Sequence, residues 1–269
     1  MGARAWEWQA GKGAGVALWR VAALEFPGVH AVFSARLGGC SPPPWEGLNL
    51  SPAVGDDPAR VQENRLRFAR AAEFGLEAVA GAQQVHGAAV AVVDRPGSAG
   101  PVDGLCTDRP GVVLTIAAAD CVVVYLADSG GRAVGLCHAG WRGTAADVAG
   151  RSVRAMTASF GIHPGDLVAA ISPAIGPCCY EVDGPVIRAM AESASWAGDV
   201  LRIRPGGHAL LDLWAANRRR LLDAGVPAAS IHVAGICTAC HPDRLYSHRR
   251  DGGRTGRMQG ALWLAEREG

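Results

Sequence analysis

Residues 112–144 read VVLTIAAADCVVVYLADSGGRAVGLCHAGWRGT, which is three short apolar runs separated by turn residues. Apolar runs of this length, bounded by turn residues, predict buried strands over 112–118, 122–127 and 133–137. The glycines of the DSGG segment at 128–131 accept positive φ, so the second and third strands are predicted to pair as an antiparallel hairpin. This stretch therefore predicts the centre of a sheet.

Other segments predict the layers around that sheet. Further strands are predicted over 29–34 and 88–93. Apolar residues recurring at three- or four-residue steps predict helices over 58–74, 144–160, 184–192 and 211–224. Because strands and helices do not alternate strictly, we expect an α/β (α+β layered) fold with mixed sheets flanked by helices. No G-x-G-x-x-G follows a strand, which argues against a dinucleotide-binding site.

The length and the composition favour one compact domain. The chain has 269 residues, of which 49% are apolar, with no internal repeat and no low-complexity linker. We expect a single domain over 1–269, with the glycine-rich residues 1–24 a loosely attached N-terminal segment.

The charge balance limits the class of partner. A net charge of +1 provides no field that would attract nucleic acid or an anionic membrane, so small molecules are the expected partners. No apolar region of a signal peptide precedes residue 19, and the apolar stretch 112–127 is broken by Asp120 and is too short to span a bilayer. Eight cysteines spread along a chain of this kind predict reduced thiols and a cytoplasmic location.

Three residues beside strand ends are candidates for chemistry. His138 ends a predicted strand and is followed by two glycines and a helix start, where backbone N–H groups are free for a ligand. Cys121 follows Asp120, a carboxylate that interrupts the most apolar region. His86 precedes a strand and has a glycine beside it. Each of these residues alone is as consistent with a structural role.

Metal binding would depend on convergence of these residues in the fold, because their spacing matches no local zinc motif. One thiolate and two imidazoles would suit Zn²⁺ and would leave a fourth position open, which is typical of catalytic sites. The remaining cysteine groups are expected to be structural. Cys237 and Cys240 lack a second C-x-x-C pair, and Cys178 and Cys179 are adjacent.

Six segments together resemble one family, the YfiH-like proteins: QQVHG at 83–87, DGLCT at 103–107, ADC at 119–121, HAGWRGT at 138–144, IGPCCYEV at 175–182 and YSHRRDGGRTGRM at 246–258. This family is also described as laccase-like multicopper polyphenol oxidase, purine nucleoside phosphorylase and peptidoglycan editing factor. Its fold is similar to the catalytic domain of cytotoxic necrotizing factor. The resemblance runs from Phe33 to near the C-terminus.

The resemblance implies that His86, Cys121 and His138 bind one catalytic zinc. It also implies phosphorolysis of adenosine, inosine and methylthioadenosine, together with deamination of adenosine. Family motif positions suggest substrate-binding and supporting residues, each with a structural alternative. The substrate-binding candidates are Arg36, Asn49, Arg65 and Arg250, with Arg65 preferred for phosphate, and the candidate proton shuttles or anchors of the zinc histidines are Asp103 and Asp120.

Four alternatives to a nucleoside enzyme remain open at this point. A zinc amidase that edits peptidoglycan precursors, such as UDP-MurNAc bearing a wrong amino acid, would use the same zinc. A copper polyphenol oxidase is less favoured, because its copper sites would need clustered histidines and the chain has eight scattered ones with no H-x-H pair. The others are a metal-free pair of Cys121 and His138, and a binding module without activity. For the assembly, a monomer or a homodimer is expected.

Overall fold

The computed structural model describes residues 5–10, 15–26 and 28–265, and within these ranges the chain forms sixteen strands and five α-helices. The strands are β1 (Glu7–Ala10), β2 (Ala17–Arg20), β3 (Val29–Ser34), β4 (Val79–Gly81), β5 (Val90–Val92), β6 (Gly97–Ser98), β7 (Gly104–Thr107), β8 (Val113–Ala118), β9 (Val122–Asp128), β10 (Val134–Ala139), β11 (Leu167–Ile171), β12 (Glu181–Val182), β13 (Leu201–Arg204), β14 (His208–Leu211), β15 (Ile231–Val233) and β16 (Met258–Leu264). The helices are α1 (Pro58–Ala72), α2 (Trp141–Ala145), α3 (Val148–Phe160), α4 (Gly184–Ser193) and α5 (Leu213–Asp223).

The strands of the described residues form three sheets. A seven-stranded sheet has the order β1-β2-β3-β16-β8-β4-β6, and a six-stranded sheet has the order β15-β11-β9-β10-β7-β5. Both sheets are mixed, since β4 pairs parallel with β8 and β15 pairs parallel with β11 while their central strands are antiparallel. The third sheet is small, with the order β12-β14-β13. The predicted α/β fold with mixed sheets is confirmed.

Strand β9 contributes side chains to two of the three hydrophobic clusters of the described residues. Successive residues of a strand point to opposite faces. One face, with Val122, Val124 and Leu126, packs in the cluster that includes α3, α4 and α5. The other face, with Val123 and Tyr125, packs in the cluster that includes Phe33 and Ile116 of the seven-stranded sheet. A third cluster joins the far side of that sheet to Phe68 of α1. The layers therefore run helix, sheet, sheet, helices.

The hairpin predicted over 128–131 is confirmed, because β9 and β10 pair antiparallel. Two predicted helices differ from the structure. The segment 144–160 is part of two helices, since Asp147 adopts a left-handed backbone (φ 63°) and caps α3 by accepting a hydrogen bond from the Gly150 amide at 3.2 Å. The helix predicted from 211 begins at Leu213, because residues 208–211 form β14 and Asp212 caps α5.

The N-terminal segment differs from the loose attachment expected for 1–24. In its described part, β2 pairs with both β1 and β3, and the side chains of Trp6 and Trp19 are buried. Large indole rings stabilise a segment strongly when they leave water, so these residues are packed onto the sheet. Residues 1–4 and 11–14 lie outside the described residues, and the extent of the single domain over 1–269 stays a prediction. Over the described ranges, none of the helices is both long and apolar enough to cross a membrane.

The β9–β10 hairpin carries a pH-dependent contribution to stability at Asp128. Its buried carboxylate accepts hydrogen bonds from the Arg132 amide (3.1 Å), Nε (2.8 Å) and Nη2 (2.7 Å). The hydrogen-bonded Arg132 side chain, opposed by burial, lowers the pKa of Asp128. We expect Asp128→Asn to reduce the free energy of unfolding by roughly 1 kcal/mol at pH 7.

The sign of this pH effect follows from the lowered pKa. The ionised carboxylate stabilises the fold above its unfolded-state pKa of about 3.9, and this contribution disappears as the pH falls through the folded-state pKa. Urea unfolding should therefore show a gap between wild type and Asp128→Asn at pH 7 that narrows towards about pH 3. Asp166→Asn, at the more distant and exposed partner of Arg132, serves as the control. An equal gap at both pH values would contradict this assignment.

Candidate active site

Two neighbouring strand ends and one turn bring His86, Cys121 and His138 together. His138 lies on β10 opposite Val123 of β9, and Cys121 immediately precedes the first residue of β9, so the register places both at one end of the hairpin. His86 lies in the loop between β4 and β5. The ligating atoms of the three side chains lie within 4.8 Å of one another. The convergence on which metal binding depends is therefore present, and metal binding itself stays a prediction.

Asp103 organises the two histidines. Its buried carboxylate accepts hydrogen bonds from His138 Nδ1 (2.8 Å) and from the amides of Val85 (3.2 Å), His86 (3.0 Å) and Gly87 (2.7 Å). His86 adopts φ 58°, a left-handed conformation that non-glycine residues rarely take, and the amides on either side of it are held by Asp103. A single carboxylate thus positions one histidine through its ring and the other through its backbone.

The side chains at this point polarise one another. Burial raises the pKa of the Cys121 thiol, but His138 and His86 outweigh that effect and lower it to about 6. Burial lowers the pKa of His138, but Cys121 and Asp103 outweigh it and raise it to about 9. The lowered pKa favours the thiolate form of Cys121, and a thiolate is the form of cysteine that binds metals and acts as a nucleophile.

The donor set fits a zinc ion. One thiolate and two imidazoles form a borderline-soft set of three ligands, and a carboxylate on the second nitrogen of a ligating histidine is the usual arrangement in zinc sites. The Asp103–His138 hydrogen bond provides that arrangement and leaves Nε2 of His138 for the metal. The rings of His86 and His138 stand edge to face, with centroids 4.8 Å apart.

These three side chains line a cleft of about 1020 Å³. The cleft is bordered by aromatic residues Trp141 and Tyr180, by apolar residues that include Leu50 and Ile175, and by several cations. The cations are the arginines Arg65, Arg142, Arg249 and Arg257, and His248 also lines the cleft. A concave site with an apolar lining and a few convergent polar groups is typical of small-molecule sites.

Arg65 faces the cleft from α1. Its Nε donates to the carbonyl oxygen of Leu50 at 3.0 Å, which positions the guanidinium at the cleft wall. Burial lowers the pKa of Arg65, and no ion pair with a carboxylate is found for it within the described residues. A partly desolvated cation without a carboxylate partner favours an anionic ligand.

Arg257 is a cleft residue that the sequence reasoning missed. Burial lowers its pKa, while the nearby charges of Cys121 and Asp120 act in the opposite sense. Its Nη1 donates to the carbonyl oxygens of Thr255 and Gly256 at 2.9 and 3.0 Å. The TGRM motif at 255–258 contained the signal, but the sequence does not reveal which arginine of the 246–258 segment turns towards the cleft.

Three of the predicted substrate-binding residues do not line the cleft. Arg36 donates to the carbonyl oxygens of Pro242 (3.1 Å) and Glu46 (3.0 Å) and stacks over Tyr246. The Arg250 guanidinium makes a bidentate contact with Asp251 at 2.7 and 2.8 Å. Through these contacts both guanidiniums hold loops together. Arg249, the neighbour of Arg250, lines the cleft instead.

Asn49 is the third of these residues and is completely buried. Its amide nitrogen donates to the Ser51 carbonyl (3.1 Å) and to the Asp56 carboxylate (2.8 Å), and its oxygen accepts from the Arg257 amide (3.0 Å). These bonds use its polar atoms within the protein, so Asn49 holds turns rather than a substrate.

Asp120 lines the cleft but does not anchor the histidines through its hydrogen bonds. Its carboxylate accepts from Thr238 Oγ1 at 2.5 Å and from the Arg249 amide at 2.6 Å. Asp120 adopts φ 81°, and these two bonds hold that left-handed backbone directly before Cys121. It therefore ties the 238–249 loop to the start of β9.

Comparison with known proteins gives matches over nearly the whole chain. A family model described as multi-copper polyphenol oxidoreductase laccase matches residues 30–265. The purine nucleoside phosphorylase YlmD of Geobacillus stearothermophilus is 42% identical over 251 residues, 89% of this chain and 91% of that protein. A purine nucleoside phosphorylase of Xylella fastidiosa is 41% identical over 249 residues, 88% of this chain and 93% of that protein. The crystal structure of YlmD from Geobacillus stearothermophilus aligns with a TM-score of 0.91 at 38% identity, over 98% of this chain and 100% of that chain.

Proposed function

The chain belongs to the family described as multi-copper polyphenol oxidoreductase laccase, and from this membership we propose that it is a zinc-dependent purine nucleoside phosphorylase. Relatives that share 41 and 42% identity over most of their length bear the name purine nucleoside phosphorylase. The observation that carries the proposal is the combination, in one cleft, of three side chains that could hold a metal ion with arginines that face the same space. Adenosine, inosine and methylthioadenosine are the proposed substrates, and deamination of adenosine is a proposed second activity.

The arginines provide for the phosphate. Phosphorolysis exchanges the bond between ribose and base for a bond between ribose and a phosphate oxygen, so the phosphate must be held against the sugar. Arg65 and Arg257 are cations that burial has partly desolvated, and a guanidinium can hold two phosphate oxygens at once. Fixing both reactants in one cleft lowers the entropic part of the barrier.

The aromatic and apolar part of the lining provides for the base. Trp141 and Tyr180 border the cleft with Ile175 and Leu213, and a flat purine ring gains most from such surfaces. Arg142 lies 4.2 Å from the Trp141 ring centroid, and Arg249 lies 5.1 Å from that of Tyr180. These contacts stiffen both rings, which favours a preformed binding surface.

His86, Cys121 and His138 are the residues that would hold the zinc ion. When bound, zinc supplies a Lewis acid that polarises an oxygen atom of the substrate or of water. Asp103 accepts a hydrogen bond from the Nδ1–H of His138, which sets the tautomer in which Nε2 is free to ligate. Zinc is favoured over a multicopper centre because the groups of described residues that could hold a metal contain only two histidines.

Arg65→Met tests the phosphate-binding part of the proposal. Methionine retains a packing stem of similar length and removes the guanidinium fork. Loss of charge-assisted hydrogen bonds should cost on the order of 1.5 to 3 kcal/mol, hence roughly tenfold or more in phosphate-dependent turnover. The measurement is base release from inosine as a function of phosphate concentration, together with adenosine deamination, which needs no phosphate.

Arg70→Met, at an exposed arginine near the end of the same helix, is the matched control and should leave both activities unchanged. If Arg65→Met reduces phosphorolysis and deamination equally, Arg65 does not bind the phosphate. If wild type releases no base at any phosphate concentration and instead hydrolyses a muramyl amide, the editing amidase replaces the nucleoside enzyme. The cytoplasmic location and the monomeric or homodimeric state stay predictions.

A further inference from the structure

A second cluster of metal-ligating side chains lies outside the group formed by the two histidines and Cys121. The sulfur atoms of Cys178, Cys179, Cys237 and Cys240 all lie within 4.8 Å of one another. The Cys240 Sγ is 3.7 Å from the Cys178 Sγ and 3.5 Å from the Cys179 Sγ. These thiols come from two loops that are about sixty residues apart in sequence.

Backbone contacts bring the two loops together. Ala174 and Cys237 form a parallel bridge, and the Thr238 amide donates to the Ala174 carbonyl at 3.0 Å. The amides of Cys179 and Tyr180 both donate to the Gly176 carbonyl at 3.0 Å, which turns the chain so that both adjacent cysteines face the other loop. The cluster is therefore built by the main chain and does not depend on flexible side chains alone.

The sulfur spacing matches a tetrahedral metal site. Zn–S bonds of about 2.3 Å in a tetrahedron place the sulfurs about 3.8 Å apart, close to the spacing around Cys240. A disulfide would need an S–S distance of about 2.05 Å. All eight cysteines are free in this structure.

The backbone also contributes to the sulfur environment. The Gly176 amide donates to the Cys237 Sγ at 3.2 Å, and hydrogen bonds from amides to sulfur stabilise the thiolate form that a metal requires. Gly176 has no side chain, which allows this approach: a Cβ at this position would lie 2.9 Å from the Trp214 ring and 3.3 Å from the Cys178 sulfur.

We propose that Cys178, Cys179, Cys237 and Cys240 bind a second zinc ion that has a structural role. Four protein thiolates close the coordination sphere, which is the property that separates structural zinc sites from catalytic ones. From the sequence these cysteines were predicted to be structural without a metal, because Cys237 and Cys240 lack a second C-x-x-C pair and adjacent cysteines such as Cys178 and Cys179 rarely bind one metal together. In the proposed site, the adjacent Cys178 and Cys179 take the place of the second pair.

The proposed zinc site lies beside the cleft and would stabilise part of its wall. Thr238, between two of the ligands, donates to the Asp120 carboxylate, which directly precedes Cys121. Tyr180, which follows Cys179, lines the cleft. A metal that joins the two loops therefore holds one wall of the cleft, although it contacts no substrate.

The test is zinc content per chain in tag-free full-length protein prepared from zinc-supplemented medium. We expect two zinc ions in wild type, one in Cys240→Ser, one in Cys121→Ser, none in the double variant, and two in the control Cys40→Ser. Failure of the three-ligand site alone would give one ion in wild type and in Cys121→Ser, and none in Cys240→Ser. The two sites are thus read separately.

A second readout covers the case in which Cys240→Ser does not fold. Cobalt replaces zinc in Cys121→Ser, and a tetrathiolate site should then show intense visible bands together with sulfur-to-cobalt charge-transfer absorption. When Cys178→Ser, a change at an exposed ligand, is added to Cys121→Ser, these bands should disappear. Cys178→Ser alone should melt several degrees lower than Cys40→Ser. The proposal is overturned if Cys240→Ser keeps the zinc content of wild type, if cobalt-loaded Cys121→Ser lacks the bands, or if the isolated wild type contains a disulfide or iron at this cluster.

Discussion

Cys121→Ser should remove one zinc ion per chain and reduce phosphorolysis of inosine about a thousandfold. The side chain supplies the only sulfur among the three proposed ligands, and a serine hydroxyl is a weak zinc ligand at neutral pH. Loss of Lewis-acid stabilisation costs several kcal/mol of the activation free energy, and each 1.36 kcal/mol corresponds to about tenfold in rate. Zinc content by mass spectrometry and base release from inosine are the two measurements.

Cys40→Ser is the matched control for Cys121→Ser, because Cys40 contacts the Arg60 carbonyl on α1 and belongs to neither cysteine-containing cluster. Cys40→Ser should retain the zinc content of wild type and its rate of inosine phosphorolysis. The ligand assignment fails if protein prepared without added metal holds no zinc or zinc-displaceable metal and Cys121→Ser has the metal content of wild type. Sustained turnover of phenols with a strong blue absorption at stoichiometric copper would instead support the copper oxidase.

The same variant separates metal-dependent chemistry from a metal-free mechanism. In the absence of an ion, Cys121 and His138 each favour the charged form of the other against the effect of burial, so the pKa of Cys121 is lowered to about 6 and that of His138 is raised to about 9. If zinc-free wild type retains full activity while Cys121→Ser is inactive, Cys121 acts as a nucleophile. We expect zinc-free wild type to be inactive and to recover when zinc is restored.

Asp103→Asn should weaken zinc binding and reduce turnover by roughly 10- to 100-fold, as is usual when the partner of a ligating histidine is changed. The carboxylate accepts hydrogen bonds from His138 and from three backbone amides. An asparagine side chain has only one oxygen, so its NH₂ group must face some of the N–H donors that the Asp103 carboxylate binds in wild type. Those donors would then have no acceptor. An unsatisfied buried donor costs about 1–3 kcal/mol, so the free energy of unfolding should fall as well.

Zinc affinity by chelator competition and urea unfolding measure these two effects of Asp103→Asn. Asp108→Asn makes the same chemical change at an exposed residue five positions later and should alter neither quantity. A variant that loses stability but binds zinc with wild-type affinity would show that Asp103 supports only the fold. If the variant has both wild-type zinc affinity and wild-type stability, Asp103 has no role in the site.

The sequence by itself determined the central strands, the hairpin and most of the helices. These elements depend on local properties, namely apolar runs bounded by turn residues and apolar recurrence at three or four residues. Strand β3 occupies the predicted residues 29–34, and α1 begins at the predicted Pro58. The helix break at Asp147 was not predicted, because a single left-handed residue whose carboxylate caps the next helix leaves the apolar pattern unchanged.

The metal-ligand candidates were found for a similar local reason, because polar residues at the ends of apolar strands need an explanation beyond packing. No local sequence pattern indicates which arginine side chains point into the cleft. Arg65 and Arg257 line the cleft while Arg36 and Arg250 join loops, and a hydrogen bond such as that from Arg36 to Pro242 spans 206 residues. Side-chain partners at that separation are set by how the sheets pack, which no local pattern records.

The four-cysteine cluster depended entirely on the tertiary structure. In the sequence, Cys178 and Cys179 are an adjacent pair and Cys237 and Cys240 are half of a zinc motif. The bridge between Ala174 and Cys237 brings the two halves within ligand distance of each other. Backbone pairing between distant segments decided this, because tetrahedral coordination requires four sulfurs in one place and not four cysteines at one spacing.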